Sequence, residues 1–346
     1  MNAHAIALPK PQPQGLRVKR ALGYLLALAG LVWVFHDIQP RQLLSVMSFT
    51  NWWLIAASVF FDVLTYVLQG VRWRLLLAPV GRLRPLRATQ AIYAGLFTNE
   101  VVPLRFGEVV RAFLVSRWLG SDIGIVVPSM IVERFLDALW LVVGLGLAAM
   151  FVPLPKKLVN AGDLLGAVVL AATILFVCVV LRKKHEFACG IGERAPKLGA
   201  PTTLSSIVSR LARGLHEIGV SRSLYRAVAL SAGMLACQVL AIWFIMLAFG
   251  LKLSVLAGAV VVLIVRIGTA IPNAPANVGS FQFFTVLALG LFGVDKTVAA
   301  AFSIVDFFIL TAPLWIIGLF ALSRTGMGLR DIRAEVGSLR WPANSS

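Results

Sequence analysis

Between positions 99 and 111 the chain carries Asn99, Glu100, Arg105, Glu108 and Arg111, interrupted by Pro103 and Gly107, within a region that is otherwise mostly apolar. An ionised group in hydrocarbon costs about 2.5–3.5 kcal/mol on insertion scales unless it pairs or faces water. Pro103 and Gly107 break a helix, so a limb beginning near Glu108 would offer backbone N–H groups at its N-terminus, a place that attracts phosphate or carboxylate. Arg105 and Arg111 would add charge-assisted hydrogen bonds, and a guanidinium matches a phosphodiester in bidentate fashion. Glu108 would fix one arginine or compete with the ligand. The alternative is that Arg105, Glu108 and Arg111 form an ion-pair network that merely closes the hairpin.

A second group is Glu133, Arg134 and Asp137. At 100° per residue on a helix, Glu133 and Asp137 lie about 40° apart and Arg134 about 60° beyond Asp137, so all three are expected on one side. If that helix enters the membrane near Ile123, Glu133 sits about 15 Å deep, close to the middle of the hydrocarbon core. Arg134 and Asp137 are spaced to pair locally, which leaves Glu133 without a local partner, to contact a substrate, a coupling proton or Arg105. Further along, Arg266 stands in an apolar run and needs a counter-charge, for which Asp306 is the nearest candidate by expected depth. Asn273, Asn277 and Gln282 suit sugar hydroxyls or amides, or else the unsatisfied backbone around Pro272 and Pro275. Asp62 and Gln69 share a helix face and would line a cavity or pair with an arginine.

The elements that must hold these residues are membrane helices. The chain is 59% hydrophobic and 14% charged, with a mean hydropathy of +0.87, which excludes an ordinary soluble domain. Six apolar runs read as full crossings: 21–35, 52–70, 124–152, 164–181, 227–250 and 299–322. Regions 88–118 and 257–294 are each broken near the middle by Pro, Gly and Asn and read as re-entrant pairs of half-helices. The fold class expected is therefore all-α and polytopic.

The net charge of +17 does not point to nucleic acid, because the basic residues flank the apolar runs as the positive-inside rule requires. They gather at 10–20, at Arg72, Arg74, Arg82, Arg84 and Arg87, at 182–226 and at 324–340, which places both termini in the cytoplasm of an inner, plasma membrane protein. Residues 1–20 read as a disordered cytoplasmic segment, 21–322 as one transmembrane domain and 323–346 as a cytoplasmic tail. Within the linker 182–226, positions 202–218 have the apolar spacing of an amphipathic surface helix. Cys178, Cys189 and Cys237 lack a CxxC spacing, and the four histidines are scattered, so neither a metal nor any other cofactor is expected.

The halves, about 21–152 and 164–322, repeat the order of two crossings, a broken hairpin and a third crossing. Three crossings per half is an odd number, so the second half enters upside down, as in inverted-repeat transporters. Pro103 to Gly107 and Pro275 to Gly279 share a Pro-x-x-x-Gly break, and Glu133 and Asp306 follow at similar offsets.

Taken in order, Arg72-Trp73-Arg74, Pro103-x-Arg105-x-Gly107-Glu108-x-x-Arg111, Glu133-Arg134-x-x-Asp137 and Pro272-x-x-Pro275-x-x-x-Gly279 resemble the flippase-like transmembrane region of lysylphosphatidylglycerol synthases and its stand-alone relatives. The resemblance covers most of the chain. It implies movement of lipids between leaflets, including aminoacylated, glycan-linked, isoprenoid or hopanoid-type lipids, without naming the one moved here. Gln282 departs from the pattern, since relatives often carry Glu there and an amide cannot titrate.

The function expected is a lipid transporter working by alternating access, with membrane lipids as its partners, no nucleic acid, and a lipid-modifying enzyme as a further partner. An intramembrane transferase and a non-transporting scaffold are the alternatives.

Overall fold

Apolar runs too long for a soluble core become the four longest spans: α2 (Trp52–Leu77), α5 (Ile123–Phe151), α6 (Arg222–Ala248) and α9 (Lys296–Ser323). Each is 26 to 29 residues long. At 1.5 Å per residue that is roughly 39–44 Å, enough to cross a hydrocarbon core of ~30 Å with tilt. The computed structural model describes residues 14–36, 38, 51–78, 80–101, 106–121, 123–152, 222–270 and 275–326, with isolated positions between 160 and 171. Arg105, Asn273, Cys178, Cys189, the segment 202–218, the tail from 327 and most of the expected crossing 164–181 lie outside the described residues. Among the described residues the secondary structure is entirely helical, so the protein is an all-α, polytopic membrane protein.

α1 (Gln14–Phe35) begins at Gln14, so residues 14–20, expected to be disordered, are helical. Straight-chain residues, which lose little rotamer freedom in a helix, favour helix there: Gln14, Leu16, Arg17, Lys19 and Arg20.

Two pairs of shorter helices fill the places of the broken hairpins. α3 (Pro85–Val101) and α4 (Gly107–Leu119) form the first pair; α7 (Val255–Ala270) and α8 (Ser280–Gly290) form the second, with a short 3-10 turn at Pro275–Asn277 between them. Their lengths of 17, 13, 16 and 11 residues correspond to roughly 16–26 Å, too short to span the core. Pro85 opens α3 at the position where its missing N–H is harmless, and Gly120, at φ 63°, ends α4 in the left-handed conformation.

The packing has a regular pattern. α2 packs on α3 as α6 packs on α7; α3 on α4 as α7 on α8; α4 on α5 as α8 on α9. Between the two sets, α3 meets α9 as α7 meets α5, and α5 meets α6 as α9 meets α2. α2 and α6 form the most extensive contact and are each other's counterpart. Exchanging α2–α5 for α6–α9 therefore maps the packing onto itself. Apolar side chains fill two main cores, one around α2 to α5 and one around α6 to α9. Outward faces are apolar as well: Trp52 and Trp53 are 70% and 83% exposed, and Ile316, Leu319 and Phe320 face outward along α9. A face of this kind requires lipid around it.

The limbs of the first hairpin touch backbone to backbone. A Cβ at Gly107 would collide with the carbonyl oxygen of Gly95, whereas one at Gly146 would meet nothing within 4 Å. Gly107→Ala is therefore expected to cost about 1–3 kcal/mol or more through overpacking. Gly146→Ala is expected to be neutral or slightly stabilising. Comparing the two unfolding midpoints in one detergent checks this; equal midpoints would mean that the limbs are not tightly apposed.

At the start of α9, Asp295 accepts from the backbone N–H of Thr297 at 2.8 Å and of Val298 at 3.4 Å. The Thr297 N–H chiefly holds its carboxyl below the usual carboxylate range. A depressed folded-state value contributes stability above the unfolded value, and the contribution is lost as pH falls through the folded value, here below about pH 4. Asp295→Ala is expected to cost about 1 kcal/mol at neutral pH, typical of a lost N-cap, and nothing in strong acid. A pH-independent difference between the two proteins would contradict the assignment.

Candidate functional site

Glu133 is the centre of the site, and it reaches that position because α5 crosses both α2 and α4. Its side chain is fully buried. Arg111 on α4 donates to it through Nη1 to Oε1 at 3.2 Å and Nη2 to Oε2 at 2.6 Å. Arg72 on α2 donates from Nη2 to Oε1 at 3.2 Å, and Gln69 one turn earlier donates from Nε2 to the same oxygen at 2.8 Å. A carboxylate buried in lipid would not persist ionised alone, and two guanidinium groups meet that need.

Arg72 extends the network. Its Nη1 donates to Asp137 Oδ1 at 2.6 Å and to Ser231 Oγ on α6 at 2.8 Å. Ser231 Oγ in turn donates a hydrogen bond to the Ala227 carbonyl at 2.8 Å. Arg111 lies over the ring of Trp73 at 4.4 Å, and Trp73 donates from Nε1 to Ser129 at 3.0 Å. The indole thus supports the cation's face while Glu133 binds its edge.

On the rim, Arg134 pairs with Glu108 at 3.2 Å and more loosely with Asp137 at 3.5 Å. Its side chain is 48% exposed while that of Glu133 is fully buried, so the two do not share one face. A 100° step between neighbours is enough to carry Arg134 out of the packed seam.

Arg266 completes the set. It lines a cavity of about 10 Å³ together with Asp137, Trp140, Leu141, Ser231, Met234 and Leu235. That volume is at the lower limit for one water molecule. Among the described residues Arg266 makes no ion pair within 4.0 Å. Across the network four arginines (Arg72, Arg111, Arg134 and Arg266) face three carboxylates (Glu108, Glu133 and Asp137), an excess of one positive charge, and of these Asp137 and Arg266 line the cavity.

Several expectations are corrected by this arrangement. Glu133 is the most heavily paired carboxylate rather than an unpartnered one, because Arg72 and Arg111 converge on it from other helices. Glu108 binds Arg134 on α5, not Arg111. The expected Arg266–Asp306 pair is not formed: Arg266 lines the Asp137 cavity, and neither Asp306 oxygen has a partner among the described residues. Asn99 is occupied by its own hairpin, its Oδ1 accepting from the Gly107 N–H at 2.7 Å, so that N–H is not free for an anion. At the second break Gln282 accepts from the Gly279 N–H at 2.7 Å, the backbone role that was one of the two open to it from the sequence. Asn277 lies in the turn at φ 54° and is half-buried.

Arg72 was missed as a site residue, since it reads as the first member of a cytoplasmic basic cluster, yet it is fully buried. The signal that would have found it is its place three residues after Gln69, on the face that also bears Asp62. Ser231 carried no signal, being a lone hydroxyl in an apolar run.

Similarity to known proteins fits this picture of a polytopic helical protein. A UPF0104 membrane protein of Methanothermobacter thermautotrophicus is 24% identical over 304 residues, which cover 83% of this chain and 86% of that one. A UPF0104 membrane protein of Methanocaldococcus jannaschii is 20% identical over 298 residues, 82% of this chain and 87% of that protein. The glycosyltransferase AglD of Haloferax volcanii is 24% identical over 356 residues; the match takes in 94% of this chain but 57% of that longer protein. Residues 20–318 match the family described as the lysylphosphatidylglycerol synthase TM region, and the chain belongs to that family.

Proposed function

We propose that this protein carries the head group of an anionic or phosphate-linked lipid between leaflets, the acyl or isoprenoid tails remaining in the bilayer. The observation that carries the reading is the Arg72–Arg111–Glu133–Asp137 network, built inside membrane helices with Arg266 in excess at its cavity. A charge set of this size is costly in lipid, and intramembrane ionisable groups mark substrate or ion paths. Arg266, Arg72 and Arg134 around Asp137 would trade that carboxylate for the lipid's own anion.

The self-mapping packing of α2–α5 and α6–α9 supports two inverted halves that rock about the α2–α6 contact, exposing the cavity to each leaflet in turn. The structure then represents a closed state, since the cavity admits no head group. Both termini would lie in the cytoplasm of a plasma membrane, and Arg105, Asn273 and Asn277 at the breaks would contact the lipid as it enters or leaves.

Retention of lipid by the purified protein tests the reading. Native mass spectrometry with equimolar phosphatidylglycerol and phosphatidylcholine should show at least a tenfold preference for the anionic lipid, sharply reduced by Arg266→Gln. Equal retention of both lipids would remove the head-group assignment. The name of the Haloferax volcanii relative favours a second reading, an intramembrane transferase. A covalently altered lipid formed by the purified protein with a sugar donor would establish it.

A further inference from the structure

A second set of buried polar groups, separate from the arginine network, meets where α2, α3 and α9 pack together. Asp62 on α2 is 6% exposed and Asp306 on α9 is fully buried. Asp62 Oδ2 and both oxygens of Asp306 have no hydrogen-bond partner among the described residues. Asp62 acts electrostatically on Asp306, and among the described residues neither carboxyl makes an ion pair within 4.0 Å. Among the described residues α1, α6 and α8, which also pack on α9, place no cation within 4.0 Å of Asp306.

Hydroxyl groups complete the set. Tyr93 on α3 is 3% exposed, its Oη is unpartnered, and it lies within electrostatic reach of Asp62. Tyr66 stacks edge-on against Tyr93 at 5.5 Å and is in reach of Asp62, Glu100 and Arg266. Ser58, one turn before Asp62, is fully buried with an unpartnered Oγ. Glu100 keeps one oxygen unpartnered while the other side of its carboxyl meets Trp315.

The two halves differ at matching positions. Glu133 follows its hairpin glycine, Gly107, at nearly the offset at which Asp306 follows Gly279. Four residues after Gly107 the chain supplies Arg111, which neutralises Glu133; four residues after Gly279 it supplies Phe283. The first half therefore provides its carboxylate with built-in cations, and the second leaves the equivalent carboxylate open. Two carboxylates that repel each other in a low-dielectric interior do not both stay ionised without a positive charge to offset them. Asp62, Asp306 and the Tyr93 hydroxyl together also offer fewer oxygens than the six to eight that Ca²⁺ takes.

We propose that Asp62 and Asp306, with the Tyr93 hydroxyl, hold an exchangeable small monovalent cation, H⁺ or Na⁺, and that its gradient drives the lipid step. The coupling rests on the transport reading above; the occupancy does not. With one carboxyl of the pair already protonated, loading one cation on the other would neutralise the pair and let α9 move past α2 and α3. Release would restore the charge and oppose that movement.

Infrared difference spectra of the full chain in liposomes, titrated with pH and separately with Na⁺ against a choline salt, read occupancy directly. For a proton, a buried carboxylic-acid band should disappear on raising pH; for sodium, the carboxylate bands should shift on adding Na⁺. Either signal should vanish in Asp306→Asn and weaken in Asp62→Asn. Absence of both signals from the wild type, or their persistence in both variants, would overturn the site. In the same liposomes, an imposed gradient of the identified ion should accelerate lipid movement several-fold in the wild type, with the acceleration gone in Asp306→Asn. Lipid movement that ignores the gradient overturns the coupling. A complete lack of lipid movement, with the infrared signal present, instead defeats the transport reading and leaves the cation site standing.

Discussion

Glu133→Gln is expected to destabilise the folded protein by about 3–5 kcal/mol, the range for removing one partner of a buried ion pair. The amide keeps the shape but leaves Arg72 and Arg111, both buried, without the carboxylate that three hydrogen bonds now engage. Removing Glu133 together with both of its arginines should behave differently. A triple variant, Arg72→Met with Arg111→Leu and Glu133→Leu, leaves Asp137 to Arg134 at 3.5 Å and should recover part of the lost stability, since apolar replacements of a buried ion cluster are often neutral or better. It should nevertheless move no lipid. Denaturant unfolding in one detergent supplies the comparison. A single substitution of Glu133 that costs less than 1 kcal/mol would show that the network is far better hydrated than its burial indicates.

Arg266→Gln is expected to have the opposite profile, with little effect on stability and a large effect on function. Among the described residues no ion pair holds Arg266, so its loss strands no carboxylate. If it binds the lipid anion, a charged hydrogen bond of about 1.5–3 kcal/mol disappears. Movement of the anionic lipid should therefore fall about 10- to 100-fold, because each 1.4 kcal/mol is a factor of ten. Arg266→Lys should restore part of the rate, as charge returns without the bidentate fork. Unchanged rates in Arg266→Gln, with native unfolding behaviour, would take the cavity out of the substrate path.

Most of the architecture was legible because hydrophobic run length and Pro/Gly punctuation are local signals. The spans α2, α5, α6 and α9 and the two breaks fall close to where composition places them. The start of α1 at Gln14 was not legible, as Pro and Gln residues before it read as disorder and nothing in the pattern marks where helix takes over. The site was legible by residue type but not by partner. Glu133 was singled out as a functional carboxylate, yet Arg72 and Arg111 reach it from helices 61 and 22 residues away in sequence. Helix periodicity gives a residue's face; it does not say which helix that face meets. Asn99 shows the same limit, as broken backbone takes the amide oxygen that a ligand would otherwise use.

Leaflet-resolved movement of labelled lipid in proteoliposomes tests the central claim most directly. Phosphatidylglycerol, an aminoacylated phospholipid, a polyprenyl phosphate and phosphatidylcholine would be compared in vesicles with wild type, with Arg266→Gln and without protein. The account predicts that wild type moves at least one lipid with an anionic or phosphate-linked head well above protein-free vesicles, that phosphatidylcholine lags, and that Arg266→Gln abolishes most of the difference. Wild-type protein of native stability that moves none of these lipids faster than empty vesicles would contradict it.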